Sequence, residues 1–116
     1  MSVIRIYHNP RCSKSRQTLA LLEQQGIEPE IIEYLKTPPT KETLKLVLEQ
    51  LGISARQLLR TGEAIYKELN LANPALTDDQ LIEAMCEHPK LIERPIVINN
   101  GQARLGRPPE TVLEIV

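Results

Sequence analysis

The chain has 116 residues, a net charge of −1 and an apolar fraction of 41%; this suits one compact domain whose core is built from Leu, Ile and Val, since Phe and Trp are absent. The near-neutral charge argues against a nucleic-acid footprint over the whole surface. No apolar run approaches membrane-spanning length, and the N-terminus lacks a signal-peptide pattern. Two cysteines far apart do not suggest a disulfide framework and point to a reducing cytoplasm, where free thiols persist.

In chain order, Val3-Ile4-Arg5-Ile6-Tyr7 reads as a strand that runs into a polar break containing Pro10. A helix is predicted from about Ser13 to Gln25, with Leu19 and Leu22 on one face and Gly26 as its stop. Ile31-Ile32 with Tyr34 gives a second strand, so the chain opens β-α-β, with a parallel pair and a right-handed crossover. After Pro38-Pro39, Thr40 caps a helix in which Leu44, Val47, Leu48 and Leu51 form an apolar stripe, closed by Gly52. Ser54 caps a short helix from Ala55 to Arg60, a further helical piece covers Ala64 to Leu69, and Thr77 caps a helix carrying Leu81, Ile82 and Met85. These segments, about residues 40–90, form a helical insertion between the two ends of a sheet. Ile96-Val97-Ile98-Asn99 is a strand, Asn100-Gly101 a hairpin turn, and Ala103-Arg104-Leu105 the antiparallel return. Pro108-Pro109 opens a final helix, with Val112, Leu113 and Val116 facing inward. The whole is a single α/β domain, β-α-β then β-β-α, with a four-stranded mixed sheet.

The first helix carries the chemistry. Cys12 stands at its mouth, where unpaired N–H groups carry partial positive charge and stabilise a thiolate. Arg11, Lys14 and Arg16 lie in or beside the first turn, which has no Asp or Glu. Cations there are mildly unfavourable unless an anion offsets them. The helix that opens Thr77-Asp78-Asp79-Gln80 has the ordinary acidic start and capping box, and so serves as an internal control. Cys12 is therefore expected to be an exposed thiol of low pKa, and Cys86 an inert one. The motif is Cys12-Ser13-Lys14-Ser15, a CxxS at the end of the first strand of a βαβ unit, which points to a thioredoxin-like redox fold without a resolving cysteine. There is no paired Cys/His spacing to hold zinc.

Beyond that motif, the sequence has Tyr7-His8-Asn9-Pro10-Arg11-Cys12-Ser13-Lys14-Ser15-Arg16, Leu58-Leu59-Arg60, Thr77-Asp78-Asp79-Gln80-Leu81, His88-Pro89, Arg94-Pro95-Ile96-Val97 and Leu105-Gly106-Arg107-Pro108. Over nearly its whole length it resembles the glutaredoxin-coupled arsenate reductase family. The resemblance implies a thioredoxin-like fold with a helical insertion, reduction of arsenate to arsenite, glutathione as co-substrate with no bound cofactor, and glutaredoxin as partner. It puts the catalytic nucleophile at Cys12 and an oxyanion-binding triad at Arg60, Arg94 and Arg107. It also places His8 near the sulfur and a cis peptide before Pro95.

The residues alone leave alternatives open. Arg60, in the last turn of a short helix, is also where a cation is favoured by the helix dipole, and Arg94, in extended backbone before a proline, could be an ordinary surface residue. Arg107 precedes a helix start, the wrong end for a cation unless an anion is nearby. His8 is either a cation or general acid beside the sulfur, or a polar residue at a strand end. Ser15 either donates a hydrogen bond to the thiolate or simply occupies the first turn. A reductase of another small oxyanion or thiol substrate is the nearest alternative function. A phosphatase-like mechanism needs an arginine six residues after the cysteine, where this chain has Thr18. A non-catalytic thiol switch or polymerase-binding regulator is the third reading, and the missing CxxC counts against it.

Overall fold

The computed structural model describes residues 3–116, which fall into two compact units: one runs to Thr37 and resumes at Arg94, and the other is Pro38–Glu93. The first unit is built on strands β1 (Arg5–Tyr7), β2 (Glu30–Ile32), β3 (Ile96–Asn99) and β4 (Gln102–Leu105), with helix α1 (Ser13–Gln24) and a 3-10 helix (Pro109–Ile115). The strand order is β2-β1-β3-β4. β1 runs parallel to β2 and antiparallel to β3, with Ile6 opposite Ile31 on one side and Val97 on the other. This is the thioredoxin-like mixed sheet that the sequence order implied. The β3–β4 hairpin turns at Asn100 and Gly101, both at positive φ (54° and 79°), as a tight two-residue turn requires.

Alternation along the strands decides the core. Ile6 and Val97, paired side by side, sink with Leu22, Val112 and Ile115 into one cluster, with Ile4, Leu19 and Ile27 packed around it. Each large side chain buried there stabilises the fold by about 1.5–3 kcal/mol. Helix α1 ends in a Schellman motif: Ile27 N–H donates to Leu22 O at 3.0 Å and Gly26 N–H to Glu23 O at 3.0 Å, with Gly26 at φ 76°. The same turn brings Ile27 back onto Leu22. On the opposite face Tyr7 and Tyr34 are both buried, their ring centroids 6.4 Å apart.

The last segment differs from expectation. It is 3-10 rather than α-helical, set off by Thr111 N–H donating to Pro108 O at 3.0 Å. Residues three apart eclipse in a 3-10 helix. Pro109, Val112 and Ile115 are therefore the buried face, whereas Val116 is exposed and Leu113 only partly covered. Asn99 Nδ2 donates to Ile115 O at 2.6 Å and ties the segment to the end of β3.

The second unit contains α2 (Lys41–Leu51), α3 (Ala55–Leu58), α4 (Ala64–Glu68), α5 (Asp78–Glu87) and a 3-10 turn (Pro89–Leu91). Helix α5 packs against α2, α3 and the 3-10 turn. The buried residues include the Leu44, Val47 and Leu48 stripe, with Leu81, Ile82 and Met85 from α5. Thr40, Ser54 and Thr77 all cap as their positions suggested. Helix α3 stops at Leu58, two residues short of Arg60, because the chain turns extended at Leu59 to form an isolated bridge with Ile92. Among the described residues, no helix is long and apolar enough to cross a membrane.

Candidate active site

The loop between β1 and α1 is held from several sides. His8 N–H extends the parallel pairing by donating to Ile32 O at 2.9 Å. Asn9 then organises a turn: its carbonyl accepts from Cys12 N–H at 3.0 Å and its side-chain oxygen from Arg11 N–H at 3.0 Å. Arg16, one turn into the helix, donates from Nη1 to Pro10 O at 3.1 Å. Cys12 is the N-cap residue of α1, in extended conformation, and the first turn has no acidic residue.

The cysteine sulfur sits among donors. Burial is the largest single influence on its pKa and pushes it up. It is outweighed by the backbone N–H of Ser15, the charge and hydrogen bond of the Arg94 guanidinium, and the backbone N–H of Lys14, so the thiol lies below its ordinary value. No side-chain cap hydrogen bond closes on Cys12 itself. Arg107 Nη2 is 4.0 Å from Cys12 Sγ, a loose electrostatic contact, and Arg107 Nε donates to the Arg94 carbonyl at 2.9 Å. The expected exposure is corrected: Cys12 is only 8% exposed, with both guanidiniums against its sulfur. Cys86 shows the opposite shift, raised chiefly by burial.

His8 and Ser15 form a buried pair, with Ser15 Oγ 2.7 Å from His8 Nδ1, and Ser15 Oγ also accepts from Asn9 N–H at 3.0 Å. Burial lowers the His8 pKa, opposed by Glu33 and reinforced by Arg16, which favours the neutral imidazole. The cationic reading of His8 is therefore disfavoured. A neutral imidazole and the Ser15 hydroxyl share a proton between Nδ1 and Oγ, so the serine side chain is engaged with the histidine. Ser15 acts on Cys12 through its backbone N–H instead.

Arg94 and Arg107 thus meet at Cys12. Arg60 belongs to the other unit, where its N–H donates to Leu91 O at 2.8 Å and its guanidinium lies 3.6 Å from Glu63 and 3.8 Å from Glu93. The Arg94–Pro95 peptide is cis, as expected from the resemblance, and Arg107–Pro108 is a second cis peptide that was not expected. Gly106 was quoted in the sequence but given no role. A Cβ there would lie 2.5 Å from Thr18 Oγ1 and 2.7 Å from Pro95 Cγ, so only glycine lets the end of β4 close onto α1 and Pro95. Gly106 N–H donates to Pro95 O at 2.9 Å, and the next residue is Arg107. A glycine flanked by strand and arginine was the available signal. Among the described residues, no cluster of His, Cys, Asp or Glu could hold a metal ion.

The chain is 56% identical over 117 residues to an arsenate reductase of Haemophilus influenzae, with 100% of each chain covered. It is 60% identical over 114 residues to the uncharacterized protein YfgD of Escherichia coli K12, covering 97% of this chain and 96% of that one. Among solved structures, an arsenate reductase from Vibrio cholerae superposes with a TM-score of 0.96 at 62% identity, covering 98% of each chain. The ArsC family model matches residues 7–115, a span that takes in the Cys12 loop, Arg60, Arg94 and Arg107. With the family model running through both Cys12 and the arginines, the chain belongs to the ArsC family.

Proposed function

We propose that the chain is an oxidoreductase that reduces arsenate to arsenite at Cys12, with glutathione and glutaredoxin supplying the electrons. The observation that carries this is a depressed thiol at a helix N-terminus beside two arginines, in a chain 56% identical to an arsenate reductase. Arginine suits a tetrahedral oxyanion because its planar fork donates two parallel hydrogen bonds. Arg94 and Arg107 would hold arsenate against the sulfur. Arg60 is assigned to the same anion by the family resemblance alone. His8 and Ser15 act as support, fixing the loop that presents Cys12.

The Cys12 thiolate attacks arsenic, an S–As bond forms, and one arsenate hydroxyl leaves as water after taking up a proton equivalent to the one the thiol released on ionising. A glutathione thiolate then attacks the cysteine sulfur. The S–As electron pair passes to arsenic, which becomes As(III) and departs as arsenite, leaving a Cys12–glutathione disulfide. The CxxS motif offers no second thiol, so glutaredoxin must take the glutathionyl group and return Cys12 to the thiol. Both cysteines are free, which suits the reducing cytoplasm in which such a cycle runs. The test is turnover of arsenate with glutathione and glutaredoxin. Arsenite formation that requires both donors supports the reading, and no turnover with the folded protein overturns it.

A further inference from the structure

We propose that the cleft beside the Cys12 loop seats the amino-acid end of a small zwitterionic thiol; this rests on the reductase reading above, which needs an external thiol. The cleft has a volume of about 230 Å³ and is lined by residues of the loop and of the turn after β2. That is below the roughly 300–1,000 Å³ of sites that enclose a drug-sized ligand, so it takes one end of a peptide thiol rather than the whole molecule.

Its wall includes Pro10 and Arg11, and Arg11 is the residue before Cys12. The cleft and Cys12 therefore share one loop. The cleft also carries both signs of charge. Arg11 makes no ion pair among the described residues, and Lys36 Nζ lies 3.6 Å from Glu33 Oε1 at the rim. A bare oxyanion would be repelled by Glu33. A group carrying a carboxylate and an ammonium finds a partner for each, the carboxylate on Arg11 and Lys36 and the ammonium on Glu33. Pro10 and the exposed Leu35 add apolar surface for the methylenes that lead from that end towards the thiol.

The cleft also has a built polar wall. His8 lines it while only 7% exposed, and its Nδ1 is engaged by Ser15. Its Nε2 has no hydrogen bond among the described residues and is left for an occupant. Glutathione has the required chemistry, with its thiol beyond an amino-acid end.

The probe is S-methylglutathione, which binds without reacting, titrated into the full chain by NMR. Wild type is expected to bind, and Lys36→Glu and Glu33→Gln are each expected to weaken binding about tenfold, the scale of one hydrogen bond to a charged group. Lys67→Glu, in the other unit, controls for net charge, and melting curves check each fold. In turnover, Lys36→Glu should raise KM for glutathione by the same factor, with kcat at saturating glutathione and KM for arsenate unchanged. With 2-mercaptoethanol, which has neither ionic group, the variant should match wild type. Equal binding by all variants overturns the proposal, as does displacement of the probe by phosphate, which would make the cleft an anion site. If glutathione-driven turnover is present but indifferent to Lys36, the cleft assignment fails and the reductase reading stands. If turnover is absent but probe binding still depends on Lys36 and Glu33, the reductase reading fails and the cleft stands.

Discussion

Helices α1 and α5 begin in opposite ways. Helix α5 is closed by its own side chains: Thr77 Oγ1 accepts from Gln80 N–H at 3.2 Å, Gln80 Oε1 accepts from Thr77 N–H at 2.8 Å, and Asp78 and Asp79 complement the dipole. Helix α1 has a cysteine where α5 has its threonine, no acid in its first turn, and amides aimed at sulfur. The first terminus stabilises a helix. The second leaves its positive charge available to the Cys12 sulfur, whose pKa it helps to lower, and, on the function proposed above, to an incoming anion. A helix start that is poor by the rules of stability is thus informative about chemistry.

The largest expected break of this contrast is Cys12→Ser, which should abolish arsenate turnover by removing the nucleophile, whereas Cys86→Ser should leave it nearly intact. Steady-state arsenite formation measures both, and the reverse pattern would mean the wrong cysteine was chosen. Next come the arginines. Arg94→Lys, Arg107→Lys and Arg60→Lys keep the charge but lose the two-point grip, so each should weaken arsenate binding by roughly tenfold to a hundredfold, following about 1.5–3 kcal/mol for a hydrogen bond to a charged group. Arg104, paired with Glu114 at 3.0 Å, is the control. Equal damage from Arg104→Lys, or silence from the other three in folded protein, would sink the clamp. The smallest effect sharpens the comparison from the other side. Thr77→Ala should cost about 1 kcal/mol of stability through the lost cap while leaving kcat/KM unchanged. Melting and turnover together check this.

Much of this was legible in the chain. The β-α-β opening, the Asn100-Gly101 hairpin and the Thr77 capping box depend on local rules of period and turn chemistry, and they fold as those rules imply. The Cys12 helix start was legible because its missing acids contrast with Asp78 and Asp79. What was not legible depends on through-space packing. The guanidiniums beside the Cys12 sulfur come from more than eighty residues away. The hold of Ser15 on His8 rather than on the thiolate is set by loop geometry that spacing does not encode. The 3-10 winding after Pro108 replaced a period of 3.6 with one of three, which exchanged Leu113 and Val116 for Ile115 in the core. Gly106 shows its reason only when Thr18 and Pro95 are seen against it.

The central claim is that the α1 terminus and its arginines hold Cys12 as a thiolate. The most direct measurement is the rate of Cys12 alkylation against pH in a Cys86→Ser background. Because the folded protein lowers this pKa, the thiolate fraction and the rate should reach their plateau at lower pH than for a free cysteine. The midpoint should fall below about 8.5, the free-thiol value, and should move up in Arg94→Lys if the two-point grip contributes. A midpoint at or above that value in the unmodified site would contradict the account.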